Sequence, residues 1–254
     1  MKMNTPRRLR ALRSIWTYLV AGLSTAYVGG SVILYRYVWP SRFRRYADRS
    51  TADWSSMVLR GAGVKSVIED AEHLGRDRGQ VLVSNHQSWF DVFALAAALP
   101  VRFSFVGKKE LSKVPFLGQA WEKVGHIAID RSDHKAAIES LQRVNEQFRA
   151  GRTIIMFPEG TRSPTGELAR FKKGAFVMAI KSQVPVVPVA VTGTRAIMEK
   201  GDWIIAPGTA TIRVGEPIST EGFTLADRNR LSREAHAAVA RLLNGNPEAS
   251  CPPS

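Results

Sequence analysis

Cysteine is nearly missing: the 254 residues hold one, Cys251, in the polar, proline-rich end NPEASCPPS. An intrachain disulfide is therefore excluded, which fits a reducing compartment. A lone thiol in such a tail is also a poor nucleophile, because nothing holds a base beside it. Acids are scarce at the N-terminus, where the first fifty residues carry only Asp48. The chain also lacks HExxH and CxxC patterns for zinc, the GxSxG turn of serine hydrolases, the GxxxxGK phosphate loop and the GxGxxG dinucleotide turn. Each of those chemistries loses its usual carrier.

What is present is basic and greasy. The net charge is +14, and ten Lys/Arg within residues 1–50 give that stretch +9, leaving +5 for the remainder. The basicity thus belongs to the N-terminus, and its neighbours decide between nucleic acid and membrane. Residues 14–35 contain no charge. As a helix they would reach about 33 Å, against about 30 Å for the hydrocarbon core of a bilayer. Trp16 and Tyr18 stand at one end and Tyr35, Tyr37 and Trp39 at the other, where aromatic belts belong. A nucleic-acid arm has no need of this apolar run, so the expected partner is membrane lipid and not nucleic acid. A cleaved signal fits poorly, because apolar and then basic sequence continues past Ala26. The flanks carry equal positive charge, so a spanning helix and a shallow hairpin broken at Gly29–Gly30 both remain open.

From about residue 51 short apolar runs alternate with helical patterns. Strands are expected at Gln80–Ser84 and at residues 101–106, 125–129, 153–157, 186–191 and 210–214. Helices are expected at 91–99, His134–Arg149, 176–181 and 227–243. This alternation predicts an α/β domain with a largely parallel sheet flanked by helices, its site beyond the carboxyl ends of the strands. The division expected is a membrane-anchoring segment at 1–50, a catalytic domain at 51–245 and a flexible tail at 246–254.

The most informative stretch is Ser84-Asn-His-Gln-Ser-Trp-Phe-Asp91. On one continuous helix, His86 and Asp91 would point about 140° apart. They meet if His86 lies in the turn leaving a strand and Asp91 in the first turn of the next helix, with Ser88 as N-cap. The carboxylate would then hold one imidazole nitrogen and leave the other as a base for a substrate hydroxyl. The plainer reading is a capping pair beside a loop histidine. Since no nucleophile motif accompanies the base, the acceptor hydroxyl itself would attack.

A second constellation, Pro158-Glu-Gly-Thr-Arg-Ser163, follows the expected strand at 153–157. Gly160 permits close backbone approach and Arg162 offers a planar fork that suits a phosphate monoester. A solvent-facing turn with Arg162 paired to Glu159 or Glu167 is the bland alternative. Arg170, Lys172 and Lys173 follow, while Lys108 and Lys109 leave the strand at 101–106 and Arg131 the one at 125–129. The expectation is that these basic loops converge beside His86.

These residues resemble the 1-acylglycerol-3-phosphate acyltransferase family of glycerolipid acyltransferases. Four blocks match in order: NHQSWFD at 85–91, VGKKELSKVPFLG at 106–118 with IDR at 129–131, FPEGTRS at 157–163, and VPVVPVAV at 184–191. The resemblance implies the glycerolipid acyltransferase fold, with His86 as general base and Asp91 as its orienting partner. It places the glycerophosphate at Arg162 with Glu159, Gly160 and Thr161, assisted by Arg131 and by Lys108 or Lys109. It implies acyl-CoA or acyl-acyl carrier protein as co-substrate and a lysophospholipid acceptor, with no metal and no further cofactor. It also implies a bacterial inner-membrane protein facing the cytoplasm. Rival readings are transfer to another lysolipid such as lyso-ornithine lipid, a thioesterase, and an inactive lipid-binding protein.

Overall fold

The structure is a computed structural model that describes residues 7–76, 78–129 and 134–245. The chain opens with α1 (Arg7–Val38) and α2 (Pro40–Ala62), an antiparallel helical pair. Pro40 occupies the first helical position of α2, where its missing N–H costs nothing. Gly63 ends the helix in the left-handed region, φ 68°, its N–H returning to Arg60 O. The pair is sewn along its length: Arg13 donates to Ala62 O, Trp54 to Thr25 Oγ1 at 3.0 Å, and Tyr35 stacks on Tyr46.

The remainder follows in the order β1 (Val64–Glu69), β2 (Gln80–Ser84), α3 (Phe90–Ala98), β3 (Phe103–Lys108), α4 (Leu117–Lys123), β4 (Ile127–Ile129), α5 (His134–Arg149), β5 (Thr153–Met156), α6 (Gly174–Ser182), β6 (Val186–Thr192), α7 (Thr194–Ile197), β7 (Gly208–Val214) and α8 (Arg228–Leu243). Among the described residues one sheet runs β1-β7-β6-β2-β5-β3-β4, parallel throughout except where β7 lies antiparallel to β6. All five residues of β2 are buried, as expected of a central strand covered on both faces. One apolar cluster, built on Leu82, Phe90, Leu95 and Ile155, lies on the face of α2 and α3. The other, built on Val81, Val144, Phe176 and Leu231, lies on the face of α5, α6 and α8. Strands β5 and β6 flank β2 in parallel, so their carboxyl ends share one edge of the sheet with that of β2.

The largely parallel α/β sheet flanked by helices is observed, with the apolar helix ahead of it. Several expected boundaries move. The strand expected at 101–106 runs instead from Phe103 to Lys108, so Lys108 closes β3 and Lys109 opens a short 3-10 turn. Residue 50 falls inside α2, and the N-terminal helices pack onto α3 and α4. The chain does not break at Gly29–Gly30: α1 continues through both. A Cβ on Gly29 would come within 2.9 Å of Phe116, so this glycine serves close packing. The tail at 246–254, with Cys251, lies outside the described residues.

By length and composition, the stretch Leu9–Val38 is apolar enough to cross a membrane, with a mean hydropathy of 1.4. Its outer face leaves Leu12 62% and Leu23 72% exposed, together with Ile15, Trp16 and Leu19. Water is a poor solvent for such a continuous apolar stripe, and association with a membrane covers it.

Candidate active site

The turn after β2 brings His86 and Asp91 together. Phe90 opens α3, and the Asp91 side chain turns back toward the strand end. Its Oδ2 takes three donors: His86 Nδ1 at 2.8 Å, Gln87 N at 2.6 Å and Ser88 N at 2.8 Å. A carboxylate that only accepts matches three donors on one oxygen. With Nδ1–H committed to Asp91, His86 keeps its lone pair at Nε2. The ring lies face to face on Phe157, centroids 4.1 Å apart, which fixes its plane. Asp91 is wholly buried, while the His86 side chain keeps 14% of its surface open. Ser88 differs from the expected cap in one respect. Its hydroxyl donates to Met198 O and accepts only a long bond from Phe90 N, whereas the returning Asp91 carboxylate is present as expected.

The loop after β5 clamps the same histidine. Glu159 Oε1 accepts the His86 N–H at 2.6 Å, and Ser163 N donates to His86 O at 2.7 Å. The peptide groups on both sides of His86 are thus held by one loop, and Arg162 stands immediately before one of the two contacts. The Arg162 guanidinium lies over the ring of Trp89, 5.0 Å from its centre, which brings it to the loop that carries His86. Gly160 has φ 77°, and a Cβ there would meet the Lys172 ammonium at 2.7 Å. Asn85 anchors the turn from the other side, exchanging two hydrogen bonds with Val191 of β6.

Glu159 is placed differently from the resemblance's implication that it lines the anion site. Both of its oxygens are taken by backbone N–H groups, Oε1 by His86 and Oε2 by Ala169 at 3.0 Å. Burial raises its pKa from the ordinary 4.5, while those two bonds and the nearby His86 pull it down and Asp91 pushes it up. It positions the histidine loop. Thr161 is exposed beside Arg162. Lys109 is exposed at the end of β3. The backbone of Lys108 ends that strand, and Arg131 lies outside the described residues.

One residue the sequence pattern left unmarked joins the group. Lys200 Nζ donates to Arg162 O at 2.8 Å and approaches Thr161 Oγ1 at 3.4 Å. It lies after α7, in a stretch with no recurring motif, and only the fold carries it to the loop after β5.

The arrangement defines a class first: an imidazole held by a buried carboxylate, in a turn clamped by an arginine-bearing loop on a largely parallel sheet, in a chain that matches an acyltransferase family model over residues 65–192. Similar proteins narrow that class. The chain is 34% identical over 222 residues to a 1-acyl-sn-glycerol-3-phosphate acyltransferase of Limnanthes douglasii, covering 87% of this chain and 78% of the relative. It is 30% identical to the enzyme of that name in Pseudomonas aeruginosa, covering 92% and 91%. The crystal structure of the 1-acyl-sn-glycerophosphate acyltransferase PlsC from Thermotoga maritima superposes with a TM-score of 0.81 at 26% identity, covering 96% of this chain and 99% of that one. The chain belongs to the 1-acyl-sn-glycerol-3-phosphate acyltransferase family.

Proposed function

We propose that this enzyme moves a fatty acyl group from a thioester donor to the sn-2 hydroxyl of 1-acylglycerol-3-phosphate, giving phosphatidic acid. The observation that carries the reading is the double clamp on His86 by Glu159 and Ser163, which ties the loop bearing Arg162 to the turn bearing His86. The acceptor phosphate meets the Arg162 fork, with Lys172 and Lys200 adding positive potential nearby. His86 Nε2 takes the proton of the hydroxyl as its oxygen attacks the thioester carbonyl. The new C–O bond forms, the C–S bond breaks, and the departing thiolate recovers the proton from the imidazolium. Asp91 holds the ring through Nδ1 in both states. No acyl-enzyme is required.

The exposed apolar stripe of α1 lies in the bilayer in this reading. Arg42, Arg44, Arg45 and Arg49, all exposed on α2, meet anionic headgroups of a bacterial inner membrane from the cytoplasmic side.

The test uses detergent-purified protein, palmitoyl-CoA or palmitoyl-acyl carrier protein, and an acceptor panel of lysophosphatidate and lyso-ornithine lipid. Phosphatidic acid is the expected product. His86→Ala should lose about 10²–10⁴-fold in kcat. Arg162→Ala should raise KM for lysophosphatidate while leaving that for lyso-ornithine lipid unmoved. Release of free fatty acid without acceptor, or full transfer by His86→Ala, would overturn the proposal.

A further inference from the structure

A second concave, basic surface lies outside the site described above. The loop at 168–173 and one face of α8 enclose a cleft of about 690 Å³ lined by Arg170, Phe171, Lys173, Asn229, Arg233 and His236, among others. Asn229, Ser232, Arg233 and His236 stand at helical spacings of three, four and seven, so α8 presents them together. No lining residue is acidic. Arg170, Lys173 and Arg233 take part in no ion pair among the described residues. His236 is propped edge-on against Phe171, centroids 4.9 Å apart.

The cleft is also fastened to the chemistry. Ala169, flanked by the lining residues Leu168 and Arg170, donates to Glu159, whose other oxygen holds His86 N. Two hydrogen bonds and the width of one carboxylate therefore separate the cleft's wall from the backbone of the base. Three fixed cations, a histidine and two neutral hydrogen-bonding side chains in a concavity suit a compact polyanion, since ligand clefts run to roughly 300–1,000 Å³.

We infer that this cleft binds the 3′-phosphorylated adenosine diphosphate of coenzyme A, so that acyl-CoA is the donor. This rests on the thioester-transfer reading proposed above. The phosphates of the nucleotide pair with Arg170, Lys173 and Arg233, Asn229 and Ser232 supply polar contacts, and the flexible pantetheine arm runs along the 168–170 loop toward His86. A cleft of about 690 Å³ falls in the size range of small-molecule sites, which favours a nucleotide over the surface of a carrier protein.

The experiment compares wild type with Lys173→Glu, Arg233→Glu and the double variant on three donors: palmitoyl-CoA, palmitoyl-acyl carrier protein, and palmitoyl-pantetheine, which lacks the nucleotide. KM for palmitoyl-CoA should rise about tenfold or more in the double variant, with the change confined to that donor. Equal losses on palmitoyl-pantetheine would overturn the assignment. So would a loss on the carrier-protein donor with none on palmitoyl-CoA, which would move carrier docking to this face. Wild type gives an arm independent of variant folding. Adenosine 3′,5′-bisphosphate should compete with palmitoyl-CoA and not with lysophosphatidate, and adenosine 5′-phosphate should compete about tenfold more weakly. Absence of competition would overturn the cleft. If wild type makes no phosphatidic acid from any donor, the transfer reading fails instead, and direct calorimetric binding of the bisphosphate still decides the cleft.

Discussion

Glu159 and the backbone nitrogen of His86 are joined by a 2.6 Å hydrogen bond that fastens the loop after β5 to the loop after β2. The second carboxylate oxygen takes Ala169 N. A side chain inside a motif associated with anion binding is thereby committed to geometry. Glu159→Gln keeps the shape but turns an amide N–H₂ toward one of the two donors. Displacement of His86 by this mismatch should lower kcat by about 10²-fold with little change in acceptor KM. Steady-state kinetics of purified variant and wild type check it. Unchanged kcat would mean the clamp does not position the base.

The same residue carries a pH signature in stability. Burial, the largest cause, raises its pKa above 4.5 in the folded protein. The folded state then holds a proton that the unfolded state has released, so this contribution is complete below pH 4.5 and is lost as pH rises through the raised value. Glu159→Gln lacks that slope. The Tm of the variant relative to wild type should climb with pH across the window beginning near 4.5. A flat difference would contradict the burial argument.

In the proposed reaction His86 and Asp91 act as one unit, because Asp91 Oδ2 holds both the ring and the turn that carries it. His86→Ala should cost about 10²–10⁴-fold in kcat, and Asp91→Asn a comparable factor through loss of the charged acceptor. The double variant should be no slower than the worse single one, since each removal already disables the base. Full multiplication of the two losses would show that Asp91 acts independently.

Much of this was legible before any coordinates. The strands around Val81–Val83, Ile154–Ile155 and Val186–Val191 are short apolar runs rich in valine and isoleucine, without a charged or hydrogen-bonding side chain, the pattern that burial on both faces imposes. The meeting of His86 with Asp91 follows from a strand-to-helix turn, a local matter that spacing can encode. Long-range roles left no trace. Arg152 is an arginine beside a strand, and nothing near it in sequence announces that it pairs with Asp48, 104 residues away. Helix α2 escaped notice because its buried positions include Ala47, Ser50, Ser55 and Ala62, small or polar residues that weaken the apolar period. Glu159 reads as an anion-site residue until the fold reveals two backbone N–H groups waiting for it.

His126 predicts acid sensitivity where the helical pair meets the sheet. Its Nδ1 accepts Phe105 N–H at 3.2 Å, so the proton sits on Nε2 and is donated to Thr51 Oγ1 of α2 at 2.9 Å. Burial first, and then the charge of Arg152, lowers its pKa from 6.5 to about 3. The unfolded chain takes up a proton that the folded chain refuses, so stability falls as pH drops from 6.5 toward 3, by up to ~1.4 kcal/mol per pH unit. His126→Gln can accept from Phe105 and donate to Thr51 without titrating. Urea midpoints across that window should fall less steeply for the variant, and parallel curves would refute the assignment.

Arg152 and Asp48 make the tightest demand on the junction of α2 with the sheet. Burial lowers the Arg152 pKa, the Asp48 charge opposes that shift, and the guanidinium also bonds Ser104 Oγ and Phe103 O. Removing one partner strands the other: Asp48→Leu leaves a guanidinium with 11% of its side chain exposed and no counter-charge. Such a loss should cost roughly 3–5 kcal/mol, whereas Asp48→Leu with Arg152→Met, which removes both charges, should recover most of it. A double-variant cycle by chemical denaturation measures the coupling. Recovery would show that the ion pair adds no net stability over an apolar contact. Additive losses would mean instead that Arg152 acts mainly through its hydrogen bonds to β3, independently of Asp48.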